Sequence, residues 1–191
     1  MPWYVRRVAQ QNSPAFTIKK QGELDYACSL YCVLSAAIHL GAVPRNYGAA
    51  NILAHRKVPR DLPRRLLTNG ATESELRCLA VAAKLGMCRA NLPTLDTLRD
   101  GALEHHHLWI VRVWMTFEAA EGGDQRGGDA VTTGTNLDEE HYVLVLDVTP
   151  DYVVVADPHP SHEDIYRMTI PGFERAWIRR GRRWAASLIR P

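Results

Sequence analysis

Between Tyr26 and Pro44 the chain carries no Lys, Arg, Asp or Glu. Within that run Leu30, Val33, Leu34, Ala37, Ile38 and Leu40 recur at helical spacing, and apolar residues also fill the positions between them. A helix apolar all round has to be enclosed, so the remaining elements must be arranged around this one. Asp25 suits the N-cap and Gly41 the C-terminal stop. Cys28 then falls in the first turn, where unpaired backbone N–H groups and the positive end of the helix dipole favour a thiolate over a thiol. Cys32, one turn deeper, reads as a packing residue, and His39 near the helix end as a packing histidine or a C-terminal charge.

A nucleophile of this kind needs a base, and the segment His141-Tyr-Val-Leu-Val-Leu-Asp-Val-Thr-Pro-Asp-Tyr-Val-Val-Val-Ala-Asp157-Pro offers one. Two β-branched runs flank the turn signal Thr149-Pro150-Asp151, which predicts a β-hairpin. Both faces are apolar, with Val143 and Val145 on one and Leu144 and Leu146 on the other, so the hairpin is expected to be central and covered. His141 opens the first strand and Asp157 closes the second, which sets the two ends side by side in an antiparallel pair. A carboxylate beside a histidine on a strand end holds the ring in one tautomer as a general base. His159 and His162 lie beyond the strand end, and Asp147 and Asp151 at its turn end, so His141 and Asp157 are the pair selected.

Elsewhere the signals are shorter. Residues 3–9 read as a strand and 10–20 as a polar approach to Gln21. Residues 44–51 read as a loop, with a short helix over 49–55. The basic stretch 55–65, with two prolines, reads as an exposed connection, or as a groove wall favouring acidic substrates. Thr72 or Ser74 can cap a helix running through Lys84 to a stop at Gly86, with Leu76, Leu79, Ala80 and Ala83 as its packing face. A helix over 93–103 and a strand over 108–115 follow. Between them His105-His106-His107 reads as an exposed polar turn, because neighbours on an extended chain point to opposite sides and no further ligand follows at zinc spacing. Residues 116–140 are Gly-, Asp- and Thr-rich, a long loop that reads either as a mobile flap over the site or as an insertion without a role, with room for a short strand at 131–136. Residues 161–170 read as a strand, Pro171-Gly172 precede a helix anchored by Phe173 and Trp177, and 184–189 close the sheet or the core. The arginines of this last region read as a solvated face, since aromatics for base stacking are not interleaved with them.

Taken in order, Gln21, Cys28, His141 and Asp157 resemble the papain-like cysteine peptidases of the C39 and C39-like type. Gln21 through Gly41 is similar to that family's nucleophile helix, His141-Tyr-Val-Leu-Val to its His-strand and Val153-Val-Val-Ala-Asp157-Pro158 to its Asp-strand. Thr72–Gly86, Leu95–Leu103 with Leu108–Val113, and Phe173–Trp177 resemble the intervening and final elements. The chain departs at Ser29, where the family usually has Gly, and its glutamine-to-cysteine spacing is one that varies in the family. The resemblance implies an α+β, papain-like (C39-like) fold with the nucleophile helix packed on a twisted antiparallel β-sheet. It further implies a thioester mechanism with Cys28 as nucleophile, His141 as base and acid, Asp157 as orienting carboxylate and Gln21 as oxyanion donor. The same thioester would serve an acyltransferase, cyclase or amidase, and the same fold a non-catalytic peptide-binding module. The family's transporter-linked members resemble this chain in the peptidase part only, so a stand-alone domain is expected, with peptide or protein maturation as one possible role.

With 191 residues, 46% of them apolar, one domain over residues 1–191 with a full core is expected. A net charge of +2 gives no reason to invoke nucleic acid or an acidic membrane. No apolar run is long enough to span a bilayer, and the N-terminus lacks the apolar core of a secretory signal. Four cysteines, two of them one helical turn apart, make no disulfide framework, and a reducing cytoplasm is the expected setting. The expected partner is a peptide or protein substrate, with no metal, no cofactor and no signature of an oligomeric state.

Overall fold

The computed structural model describes residues 16–21, 26–68, 70–103, 107–116, 138–160, 162–178 and 181–191. The expected strand over 3–9, Asp25, His105, His106 and the expected strand over 131–136 lie outside these residues. In chain order the elements are α1 (Cys28–His39), α2 (Ala49–Leu53), α3 (Leu62–Arg65), α4 (Glu73–Ala82), β1 (Gly86–Arg89), α5 (Leu95–Leu103), β2 (His107–Thr116), β3 (Asp138–Val148), β4 (Tyr152–Ala156), β5 (Ile165–Thr169), α6 (Ile170–Trp177) and β6 (Ala185–Ile189). The strands form one antiparallel sheet in the order β1-β6-β2-β3-β4-β5. This is the expected α+β arrangement. No helix among the described residues is long and apolar enough to cross a membrane.

Side-chain alternation along β3 divides the core into two layers. Tyr142 and Leu144 join Ile110, Ala186 and Leu188 under α1 and α4. Val143 and Val145 join Val111, Val113 and Val153 under Leu98 of α5 and Phe173 and Trp177 of α6. An apolar strand with covered faces on both sides is the physical outcome of a run with no polar side to offer water.

Helix α1 is enclosed as its composition requires. Ten of its residues are buried, and only Tyr31 and His39 reach solvent. It ends in a Schellman arrangement at Gly41 (φ 67°), where Ala42 N–H donates to Ala37 O and Gly41 N–H to Ile38 O. Its N-cap position is occupied by Ala27, with no side-chain cap, so the N-cap expected from Asp25 is corrected by two residues. Cys28 still opens the first turn.

Helix α4 carries a capping box between Thr72 and Glu75, and Leu76, Leu79, Ala80 and Ala83 are all fully buried. Its stop comes earlier than expected. Lys84 (φ 59°) takes the left-handed position, with Lys84 N–H on Val81 O and Leu85 N–H on Ala80 O. Gly86 is thereby freed to open β1, an edge strand that the pattern of residues did not announce. The basic stretch after α2 is also more than a connection. It contains α3, and Val58, Leu62 and Leu66 are buried beneath exposed Arg56, Lys57, Arg60 and Arg64.

Candidate active site

The elements that matter meet at β3. Cys32 of α1 donates its S–H to Tyr142 O at 3.2 Å, which seats the helix on the strand one residue from His141. Cys28 lies one turn above that anchor, nearly buried. Burial, with the nearby charges of Cys28 and Asp157, pushes the Cys32 thiol well up, in keeping with a packing role.

His141 does not open β3. The strand begins at Asp138, three residues earlier, and His141 sits within it opposite Val113 of β2. Of the loop expected over 116–140, Thr116 and residues 138–140 are paired strand, and the rest of it, with the expected flap, lies outside the described residues. Asp157 follows β4 directly. The register Leu144↔Ala156 brings it beside His141 despite a bulge between Val145 and Asp147. The His141 ring nitrogen Nε2 lies 2.7 Å from Asp157 Oδ1. The ring is also hydrogen-bonded to the Cys28 side chain. With Nε2 on the carboxylate, Nδ1 is the nitrogen left for the sulfur. Sulfur, imidazole and carboxylate from α1, β3 and the end of β4 therefore form one buried chain of contacts.

The electrostatics match. Burial alone would pull the His141 pKa down, but the charges of Asp157 and Cys28 and hydrogen bonds to both outweigh it and push it up to about 10. Burial would raise Asp157, and His141 and His162 together hold its carboxyl well below the usual carboxylate range instead. The charged form of the ring is thereby favoured, with Asp157 Oδ1 as the acceptor on Nε2.

Asp157 is fully buried and accepts four hydrogen bonds. Oδ1 takes His141 Nε2–H and the His159 N–H at 2.8 Å. Oδ2 takes His162 Nδ1–H at 2.8 Å and Tyr166 O–H at 2.9 Å. Burial and the Asp157 charge push the Tyr166 hydroxyl well up, so it remains a donor. His162 and Tyr166 were not selected as site residues from the sequence, and His159 and His162 were weighed only as rival bases. The signal that could have found them is Asp157-Pro158-His159-Pro160, a proline-stiffened turn that returns the chain toward the carboxylate. His159 is a neutral ring at working pH, because burial and the neighbouring His162 and His141 pull its pKa down to about 4. His141, Asp157 and His162 also form the one group among the described residues with ligand atoms close enough to hold a metal, all within 4.8 Å. Both Asp157 oxygens already carry two donors each, which fills a carboxylate's acceptor sites and makes the cluster a hydrogen-bond hub.

Gln21 is buried, and its N–H donates to Pro158 O at 2.8 Å, which places it beside the Asp157 turn. Its neighbour Lys20 was also missed. The Lys20 ammonium donates to the carbonyls of Asp157, His159 and His162 at 3.1, 2.9 and 2.8 Å and pairs with Asp164 at 3.1 Å. Lys19 N–H donates to Ser35 Oγ of α1 at 2.8 Å. The 16–21 segment thus ties α1 to the Asp157 turn. Asp147 and Asp151 stay at the far end of the hairpin, exposed. His39 is exposed in the last turn of α1, its ring against Phe16 with centroids 4.8 Å apart. His107 is the first residue of β2 rather than part of a turn. Ser29 is fully buried, and its hydroxyl has no hydrogen-bond partner among the described residues.

The sequence matches no protein-family model and no curated protein. Its fold is shared with solved structures. The peptidase domain of Streptococcus ComA, a bifunctional ABC transporter involved in a quorum-sensing pathway, is similar over 93% of this chain and 100% of that one, with a TM-score of 0.60 and 20% identity. A protein from Bacillus anthracis described as a C39-like peptidase is similar over 92% of this chain and 95% of that one, with a TM-score of 0.54 and 16% identity. The fold is that of the C39-like peptidases.

Proposed function

We propose that the protein is a cysteine peptidase that cleaves peptide bonds through a Cys28 thioester. The observation that carries this is the single buried chain from Cys28 through His141 to Asp157, with the ring pushed up to about 10. The fold shared with peptidase domains supports the same reading.

In the proposed mechanism the Cys28 thiolate attacks the scissile carbonyl carbon while His141 holds the proton. His141 then delivers it to the leaving amine, and the thioester forms as the C–N bond breaks. In the second half, His141 takes a proton from water, water attacks the thioester, and the thiolate leaves. Asp157 keeps the ring in one orientation and stabilises its cationic form. The Gln21 carboxamide and the Cys28 backbone N–H, at the open end of α1, would donate to the tetrahedral oxyanion, and one such donor is worth about 10²–10³ in rate. The three carbonyl contacts of Lys20 hold Gln21 beside the Asp157 turn, which supports that assignment.

The test is mass spectrometry of a degenerate peptide library after incubation with wild type and with Cys28→Ala. Wild type should yield new termini at a restricted set of sequences, and the variant none. Equal cleavage by both proteins would refute the assignment of the nucleophile. An amine added to the reaction separates hydrolysis from acyl transfer, since a transferase would return the amide of the added amine instead of the free acid.

A further inference from the structure

A carboxylate that orients an imidazole must itself be held, because its terminal torsion is broad and two-fold. If Asp157 were contacted through Oδ1 alone, rotation would swing that oxygen off the His141 ring. The structure places two donors on the other oxygen: His162 Nδ1–H at 2.8 Å and Tyr166 O–H at 2.9 Å. They arrive from the turn after β4 and from β5, on different elements from His141, so together they fix the plane of the carboxylate.

His162 is itself fixed. Its carbonyl accepts from the Lys20 ammonium at 2.8 Å, its N–H donates to His159 O, and Asp157 N–H closes the turn on Asp164 O at 3.0 Å. Its ring lies edge-on to His141 with centroids 6.1 Å apart, and at a tilt to His159 at 4.5 Å. The charged and titratable groups that face it are Asp157, His141, His159, Tyr166 and Lys20.

We propose that His162 is a positioning residue for the Cys28–His141 pair: it aims the Asp157 carboxylate at the catalytic ring by holding Oδ2. This rests on the peptidase reading of the site and adds one more side chain to its working geometry. His162 touches neither sulfur nor substrate in this role, and it acts only through Asp157.

The experiment is the rate of Cys28 carboxymethylation by iodoacetate from pH 4 to pH 11, read on the Cys28 peptide by mass spectrometry, for wild type, His162→Ala and His162→Asn, with the melting temperature of each. Iodoacetate is an anion, so its reaction with the thiolate is fast only while the imidazolium is present, and the alkaline limb reports the loss of the His141 proton. The Asn amide places an N–H where Nδ1 was, and keeps the bond to Oδ2. In His162→Ala the alkaline limb should move down by about one pH unit, since the carboxylate no longer faces the ring. Turnover on peptides recovered from the library should fall about 10²-fold, the effect of misplacing a catalytic group by about 1 Å. His162→Asn should restore both to near the wild-type values.

A limb unchanged in His162→Ala overturns the proposal. So does a limb moved to higher pH, which would make His162 a competitor for the Asp157 charge. A loss in His162→Ala that His162→Asn leaves unrepaired, while melting as wild type does, also overturns it. Wild-type Cys28 that reacts at pH 6 no faster than a cysteine of the denatured chain would overturn the peptidase reading as well, and so distinguishes the two failures.

Discussion

Replacing Asp157 by Asn keeps the shape of the side chain and removes its charge. Four donors meet Asp157, two on each oxygen. An amide oxygen can serve two of them, and the amide NH₂ must then confront the other two donors. Each buried donor left unmade costs about 1–3 kcal/mol, so with two of them Asp157→Asn should be less stable by roughly 2–6 kcal/mol. The larger effect falls on His141. Its pKa is pushed up to about 10 against a burial effect that pulls it down, and the Asp157 charge is the foremost of the opposing causes. With that charge gone, burial works against the Cys28 contacts alone, and the ring should titrate well below 10, toward its ordinary 6.5. A fall of about three pH units corresponds to about 4 kcal/mol of lost preference for the imidazolium. The assay is ring-nitrogen NMR of histidine-labelled protein titrated from pH 4 to pH 11, with the His141 resonance identified by its absence from His141→Gln. Peptide turnover should drop by roughly 10³–10⁴-fold. If His141 in Asp157→Asn still titrates near 10, the carboxylate is not what holds the proton on the ring, and the electrostatic account of the site is wrong.

Three further outcomes follow from the same contacts. His141 has a raised folded-state pKa, so its contribution to stability is complete below about 6.5 and is lost as pH rises toward about 10. Urea midpoints of wild type should therefore fall between those values while Asp157→Asn stays nearly flat, and parallel curves would contradict this. In the native protein, iodoacetamide labelling mapped on peptides by mass spectrometry should find Cys28 and the exposed Cys88 modified and Cys32 spared, whose buried thiol is pushed well up and bonded to Tyr142 O; early label on Cys32 would show that α1 is not seated on β3 as described. Ser29→Ala should stabilise the protein by about 1 kcal/mol, because it removes a buried hydroxyl with no partner among the described residues, and a melting temperature that falls would mean the hydroxyl is bonded after all.

The long-range frame of this site was visible in the sequence because it rests on two strong, local signals. An uncharged apolar run can only become an enclosed helix, and two β-branched runs around Thr149-Pro150-Asp151 can only become a covered hairpin. Those two statements put Cys28, His141 and Asp157 on elements whose ends meet. What escaped has no periodicity. Lys20 acts through carbonyl groups, which leave no trace in residue identity, and His162 and Tyr166 reach Asp157 across a turn whose shape depends on Pro158 and Pro160. Strand β1 has four residues with only Met87 buried, too little pattern to separate from a loop. The helix ends were misread where an ordinary residue took a special position, as Ala27 did at the start of α1 and Lys84 at the end of α4.

Strand β6 is the last element of the chain, yet it lies inside the sheet, between β1 and β2. Until residues 185–189 are made, β1 has no neighbour among the described strands and β2 lacks one side, so a growing chain holds α1 and the hairpin over an open seam. Such distant pairings form late and slowly. On the proposed function, catalytic competence should then arrive in one step, when β6 slots in, and a copy still unfinished on the ribosome should be inactive.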